Sequence, residues 1–266
     1  MHIDDDDINA AAIRMLADYD AGEPGTIYAE GFRLDLSDAW RLQTAVTRLR
    51  ERRGEQVIGY KIGCVDPGNR ERMGLPHPVW GRLWATEQHF DGAVLEKSRY
   101  TNLSIEAEFG IVLSRDIFPG MSIDDIANSV SAVYPLLELH NLVMRGNAPN
   151  GHELVGNNCI HCGVVRGAPV TELLGPRQTA LELIFDGKVV DSWDSLNWPD
   201  DMLEAVEWLA AKLATNNIAL NHYIIRLIIP GNIVSSSRVF FAVFILNFKI
   251  LTSFSYYVSS CSACQL

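Results

Sequence analysis

The sequence predicts an α+β chain in which helices at the front lead into a β-rich body. Three observations carry that prediction: helical spacing of apolar residues before position 53, a change after Gly54 to short apolar runs, and an Asp-Gly pair between two alternating runs. At 266 residues the chain is long enough for one large domain or a compact pair.

Residues 5 to 20 and 37 to 53 read as helices, the second with Ser37 as its N-cap and Leu42, Val46 and Leu49 at helical spacing. Gly22, Pro24 and Gly25 mark the break between them. Val57 to Ile62, Glu106 to Leu113 and Leu181 to Phe185 are strand candidates. Asp186-Gly187 then turns the chain into Lys188 to Trp193, because both residues tolerate the positive φ of a two-residue hairpin. Residues 200 to 215 form an amphipathic helix, with Asp200 and Asp201 at its positive end and Leu203, Val206, Leu209 and Leu213 on one face. From about Asn221 onward Phe, Ile, Ser and Tyr crowd together and no acidic residue occurs. Within that segment Val239 to Val258 approaches the roughly 20 apolar residues that span a bilayer. Asn247, Lys249 and several serines interrupt it, so buried strands or a poorly packed tail are expected instead. The chain therefore divides into a helical region, 1–56, a β-rich body, 57–220, and an atypical tail, 221–266.

An apolar fraction of 48% and a charged fraction of 21% match a folded globular protein and exclude disordered or fibrous designs. The net charge of −11, with no dense run of Lys or Arg, argues against nucleic acid as a partner. A bound metal would still let so acidic a chain take an acidic small molecule, by inverting the local sign of charge. Met1 to Asp7 carries four consecutive aspartates and no apolar stretch, so it does not read as a secretory signal, and a cytoplasmic location is expected. The five cysteines are an odd number in a chain too large to need disulfide staples, which favours reduced thiols.

The candidate chemistry begins at Glu106-Ala107-Glu108, because in a strand residues i and i+2 share a face and lie roughly 7 Å apart along the chain. The pair alone is equally explained as a solvated strand face. Glu138 adds to it: it sits in the apolar stretch Tyr134-Pro135-Leu136-Leu137-Glu138-Leu139, where a lone carboxylate is costly to desolvate. A cation would relieve that cost, and so would an ion pair with an arginine such as Arg145. Three carboxylates with room for water and substrate oxygens suit Mg²⁺ or Mn²⁺. Lys61, in Gly59-Tyr60-Lys61-Ile62-Gly63, is placed for partial burial, which lowers an ammonium pKa and fits it for proton transfer, unless it reaches solvent at a strand end. Cys159-Ile160-His161-Cys162 and Cys261-Ser262-Ala263-Cys264 are too far apart for a zinc ribbon, and His161 reads better as a core or pocket histidine. No dinucleotide fingerprint, Walker A loop or nucleophile elbow occurs.

These pieces occur in a recognisable order: Gly59 to Gly63, Met73-Gly74-Leu75 with Pro78-Val79-Trp80-Gly81, Ile105 to Glu108, Leu137-Glu138, Asn157-Asn158 to Cys162-Gly163, and Leu196-Asn197-Trp198-Pro199. Over about residues 5 to 220 the chain resembles the 2-oxopent-4-enoate hydratase and 4-oxalocrotonate decarboxylase family of the fumarylacetoacetate hydrolase superfamily. The resemblance implies a mixed β-roll of that type, Mg²⁺ or Mn²⁺ held by Glu106, Glu108 and Glu138, and Lys61 as general acid/base beside a small 2-oxo or 2-hydroxydienoic acid. It also implies a homo-oligomer; the altered tail adds a hetero-complex with a homologous decarboxylase or hydratase, and the interrupted apolar run argues against a membrane partner. Two departures stand out. Val79 occupies a position where hydratases commonly carry Asp, as decarboxylases tend to. After Asn221 the family's Gly-Asp turn, Thr-Gly strand end and closing strands are missing. A frameshift, an unspliced intron or a wrong gene end would each produce such a tail, and an inactive partner subunit is the reading that follows from it. Hydration of 2-hydroxypenta-2,4-dienoate is the expected reaction, with decarboxylation as the alternative.

Overall fold

The acidic start of the chain is a helix cap. In this computed structural model, which describes residues 2–144, 149–169, 180–185, 187–193, 200–220, 224–227, 234–235, 242–247 and 253–260, the Asp4 carboxylate accepts the Asp7 N–H at 2.8 Å. Asp5, Asp6 and Asp7 follow in the first turn of α1 (Asp5–Ala21), where the helix dipole is positive, and left-handed Gly22 ends the helix. The next helix, α2 (Leu36–Arg52), is capped by Asp35, which accepts the Asp38 N–H, and not by Ser37, which lies inside the first turn. Two oxygen-bearing side chains stood within two positions of each other, and the extended backbone needed at a cap falls on the earlier one. Ile8, Ala11, Ala12 and Met15 of α1 pack with Leu42 and Ala45 of α2 into a small core of their own.

The body follows as β1 (Val57–Gly63), α3 (Pro67–Met73), β2 (Val79–Trp84), β3 (Gln88–Phe90), β4 (Val94–Leu95), β5 (Leu103–Leu113), α4 (Ile123–Ala127), β6 (Val130–Asn141), α5 (Gly151–Gly156) and β7 (His161–Arg166). Then come β8 (Ala180–Phe185), β9 (Lys188–Trp193) and α6 (Asp200–Ala214). The tail adds β10 (Ile224–Leu227), β11 (Val234–Ser235), β12 (Ala242–Asn247) and β13 (Ser253–Ser260). One mixed sheet runs β2-β1-β10-β5-β6-β7-β3, with β11 also on β5, and a second runs β4-β12-β13-β8-β9. The architecture is α+β, and the main core gathers Ile62, Leu83, Phe109, Ile111, Leu137 and Leu139 with the apolar face of α6.

The expected hairpin is present as the antiparallel pair β8–β9, with Gly187 at φ 76°; Asp186 lies outside the described residues. The expected segment 200–215 is α6, and Leu203, Val206, Leu209 and Leu213 are all buried. The apolar run 239–258 holds β12 and most of β13, which pair antiparallel to each other. Among the described residues no helix is long and apolar enough to cross a membrane. In the first sheet, β10 lies between β1, to which it is parallel, and β5, to which it is antiparallel.

Candidate metal centre

The two longest strands build the site. Pairing of β5 with β6 sets Glu106 directly opposite Glu138, Glu108 opposite Leu136, and Ser104 opposite His140. Alternation then puts Glu106 and Glu108 on one face of β5, and Glu138 and His140 on the matching face of β6. From β7, after an irregularity in the ladder between Leu139 and His140, His161 donates through Nδ1 to Glu138 Oε1 at 2.6 Å. Lys61 comes from β1, three strands away from β6 in sheet order. On a flat sheet that is about 14 Å, beyond the length of a lysine side chain. Its Nζ nevertheless lies 3.2 Å from Glu138 Oε2 and 3.4 Å from His140 Nε2, so the sheet curls the two strands toward each other.

All of these groups are buried: Lys61 is 2% exposed, Glu108 and Glu138 0%, and Glu106, the most accessible, 8%. Burial alone would push the Glu138 carboxyl up, but Lys61, His140 and the hydrogen bonds of His140 and His161 hold it well below the usual range. Burial and the neighbouring Glu138 push Glu108 the other way, well above it. For Lys61, burial opposes the charge, yet attraction to Glu138, and more weakly to Cys159, Glu108 and Glu106, raises its pKa above that of an ordinary lysine. The lowered value expected from burial is therefore corrected. The sequence left Lys61 between partial burial and a solvent-facing strand end; the structure buries it among carboxylates.

The structure brings together all four residues singled out from the sequence, and adds His140 and His161. His140 could have been found, since Glu138-Leu139-His140 repeats the spacing of Glu106-Ala107-Glu108. Donor atoms of Glu106, Glu138 and His140 all lie within 4.8 Å of one another; Glu108 adjoins Glu138 outside that trio. Hard carboxylate oxygens with an imidazole nitrogen, buried around one lysine, make a donor set that fits a divalent cation. Among the described residues the ion-pair partners of Glu138 are Lys61, His140 and His161, and Arg145 lies outside them. The Cys159 and Cys162 thiols are buried and free, and burial pushes Cys159 up to about 12, so neither is a ready thiolate ligand. Cys261 and Cys264 lie outside the described residues, as does Leu196 to Pro199.

A wall of the site is made by an unusual backbone. Asn158, Cys159 and Ile160 are three successive left-handed residues, with φ of 52°, 54° and 53°. The Asn158 side chain fixes this turn to β2, accepting the Arg82 N–H at 2.7 Å and donating to the Arg82 carbonyl at 2.9 Å. Gly81 lets the turn approach: a Cβ there would stand 2.7 Å from the Asn158 carbonyl oxygen and 3.2 Å from Lys61 Cγ.

No family model matches the chain. It is 25% identical over 182 residues to a 2-keto-4-pentenoate hydratase of Burkholderia vietnamiensis, covering 67% of this chain and 70% of that one. It is 30% identical over 107 residues to a 4-oxalocrotonate decarboxylase of Pseudomonas putida, covering 40% of each. Among solved structures, a Pseudomonas putida 4-oxalocrotonate decarboxylase complexed with magnesium and adipate superposes with a TM-score of 0.78 at 20% identity, over 91% of this chain and 94% of that one. By sequence the chain is similar to 2-keto-4-pentenoate hydratases and 4-oxalocrotonate decarboxylases, and its α+β fold is that of the decarboxylase.

Proposed function

We propose that the chain is a divalent-metal-dependent lyase that adds water to 2-hydroxypenta-2,4-dienoate (2-oxopent-4-enoate), giving a 4-hydroxy-2-oxo acid. The observation that carries this reading is the buried cluster of three glutamates around one lysine. Glu106, Glu108 and Glu138 would hold the ion, and Lys61 would be the general acid/base. Bound there, Mg²⁺ or Mn²⁺ supplies Lewis acidity toward the 2-oxo and carboxylate oxygens of the substrate. Lys61 holds a proton on Nζ against burial only through its attraction to the carboxylates, Glu138 first. With Glu138 engaged elsewhere, burial prevails and Nζ becomes a proton donor to the substrate carbon chain. His161 keeps the Glu138 carboxylate oriented from its far oxygen. The apolar walls of the site exclude bulk water, and Glu106 marks the accessible side. A cytoplasmic location, and assembly as a homo-oligomer or with a homologous hydratase or decarboxylase, belong to the same proposal.

Val79 supports a second reading, decarboxylation of a 4-oxalocrotonate-type acid. It is fully buried, and an apolar side chain where hydratases commonly carry Asp cannot orient an attacking water. Both reactions draw on the same electron sink, so product identity separates them. Purified protein with Mn²⁺ is expected to consume the dienol absorbance of 2-hydroxypenta-2,4-dienoate, and Glu108→Ala to lose that activity. Release of CO₂ from 4-oxalocrotonate without hydration would favour the second reading. Failure to consume either acid would remove both.

A further inference from the structure

We infer that the chain binds a small aromatic monocarboxylate at a second site, a cleft on the far side of β2 from the metal centre, with the Arg82 guanidinium as the partner of the anion. The first ground is an unpaired buried cation. Among the described residues the buried Lys and Arg side chains are Arg50, Lys61 and Arg82. Two of them have carboxylates: Glu55 and Glu87 hold Arg50, and Glu138 holds Lys61. Arg82, 5% exposed, makes no ion pair among the described residues. Its guanidinium donates through Nη1 to the neutral Gln43 Oε1 at 2.8 Å and lies 4.8 Å over the Trp80 ring. Buried charges are normally paired, because a cation stripped of water and given only neutral partners is costly. Burial accordingly pulls the Arg82 pKa below that of an ordinary arginine, although Tyr60 and Glu51 oppose it.

The second ground is the space in front of that cation. Side chains alternate along β2, so Gly81 backs onto Lys61 while Trp80 and Arg82 face the other way, toward Trp40 and Gln43 of α2. An open cleft of about 950 Å³ runs there between α2 and the outer face of β1 and β2, with Trp40, Thr44, Ile58, Tyr60, Trp80 and Arg82 in its lining. That volume lies within the range of small-molecule sites. The walls are flat and aromatic: Trp40 stacks on Trp80 with ring centroids 4.9 Å apart and 19° between planes, and Tyr60 meets Trp80 edge-on at 5.8 Å. Such walls select a planar ring, and the planar N–H fork of a guanidinium selects a carboxylate. Glu51 and Glu55 also line the cleft, so a second negative charge on the ligand would be repelled, and a single carboxylate is preferred to a phosphate or a dicarboxylate. The site is independent of the reaction proposed above.

The test is calorimetric titration of the full chain, with Mn²⁺ present, by benzoate and by benzamide, which keeps the ring and lacks the charge. Saturable benzoate binding that quenches tryptophan fluorescence is expected, with benzamide weaker by at least about tenfold. Arg82→Met should weaken benzoate by at least about tenfold, whereas Glu108→Ala, which alters the metal centre, should leave its affinity unchanged. Thr44→Glu, a substitution on a partly exposed position of α2 that puts a carboxylate in the cleft, should also weaken benzoate, and it decides the matter if Arg82→Met fails to fold. No saturable binding at millimolar benzoate would overturn the site, and so would binding unchanged by both cleft substitutions. Binding lost in Glu108→Ala but kept in Arg82→Met would put benzoate on the metal and overturn it equally. If wild type ignores benzoate while Arg82→Met turns an oligomer into a monomer in analytical ultracentrifugation, a second copy of the chain fills the cleft, and the small-acid assignment falls.

Discussion

At the scale of single residues, Gly81 shows how closely the site is packed. A methyl group there would meet the backbone oxygen of Asn158 at 2.7 Å, and that oxygen belongs to a left-handed turn with no simple way to retreat. Overpacking of this kind costs about 1–3 kcal/mol. The same methyl would press on Lys61 Cγ, whereas the carboxylates on β5 and β6 are untouched. Gly81→Ala should therefore lower turnover sharply while Mn²⁺ affinity, measured by calorimetry, stays at the wild-type value. Arg50 raises a different question, because its guanidinium is buried, 2.5 Å from Glu55 and 2.6 Å from Glu87, and lies 4.2 Å over the Trp84 ring. Removing it leaves Glu87 buried without that cation, a change that costs about 3–5 kcal/mol. Burial already pushes the Glu87 carboxyl up, with Arg50 opposing. A folded-state pKa above the unfolded one contributes stability that is complete below the unfolded value and is lost as pH rises through the folded value. Without Arg50 the Glu87 pKa climbs further, so the deficit of Arg50→Met in urea denaturation should be larger at pH 8 than at pH 5.

At the scale of elements, α5 depends on a reciprocal cap. The Asn150 side chain accepts the His152 and Glu153 N–H groups at 2.9 and 3.0 Å, while Glu153 accepts the Asn150 N–H at 3.2 Å. Since α5 runs directly into the Asn158 turn, Asn150→Ala should cost about 1 kcal/mol in thermal denaturation and loosen the wall beside Lys61. Elements such as α1, α6 and the β8–β9 hairpin were legible because their signals are local: a cap, a 3.6-residue stripe, a turn pair. The carboxylates were legible for the same reason, Glu106 and Glu108 by strand alternation and Glu138 by the desolvation its apolar neighbours impose. His140 was legible in principle, by the same alternation, but only a known register shows that it stands across from Ser104 and diagonal to Glu106. The charge state of Lys61 was not legible, because it depends on a carboxylate brought from three strands away.

At the scale of the whole molecule, the tail joins the strands that carry the site. Its texture after Asn221 left buried strands and a poorly packed tail both open, and β10 lies inside the first sheet. Gly59 to Ile62 of β1 pair with Ile224 to Leu227, which pair in turn with Phe109 to Val112 of β5. Lys61 and the glutamates thus sit on strands that meet through residues from the far end of the chain. Parallel pairing of strands so distant in sequence has no local signature, since nothing in either strand names its partner. The consequence is that the site should not survive loss of the tail. A chain ending at Leu220 leaves the inner edges of β1 and β5 without ladder partners, and the spacing that lets Lys61 reach Glu138 has nothing to set it. Such a chain is expected to lose Mn²⁺ binding and near-ultraviolet circular dichroism together, while far-ultraviolet helical signal from α1 and α2 persists in part. Wild-type Mn²⁺ affinity in residues 1–220 would mean that β1 and β5 can close on each other directly, and that the tail strand is an addition to the site instead of its keystone.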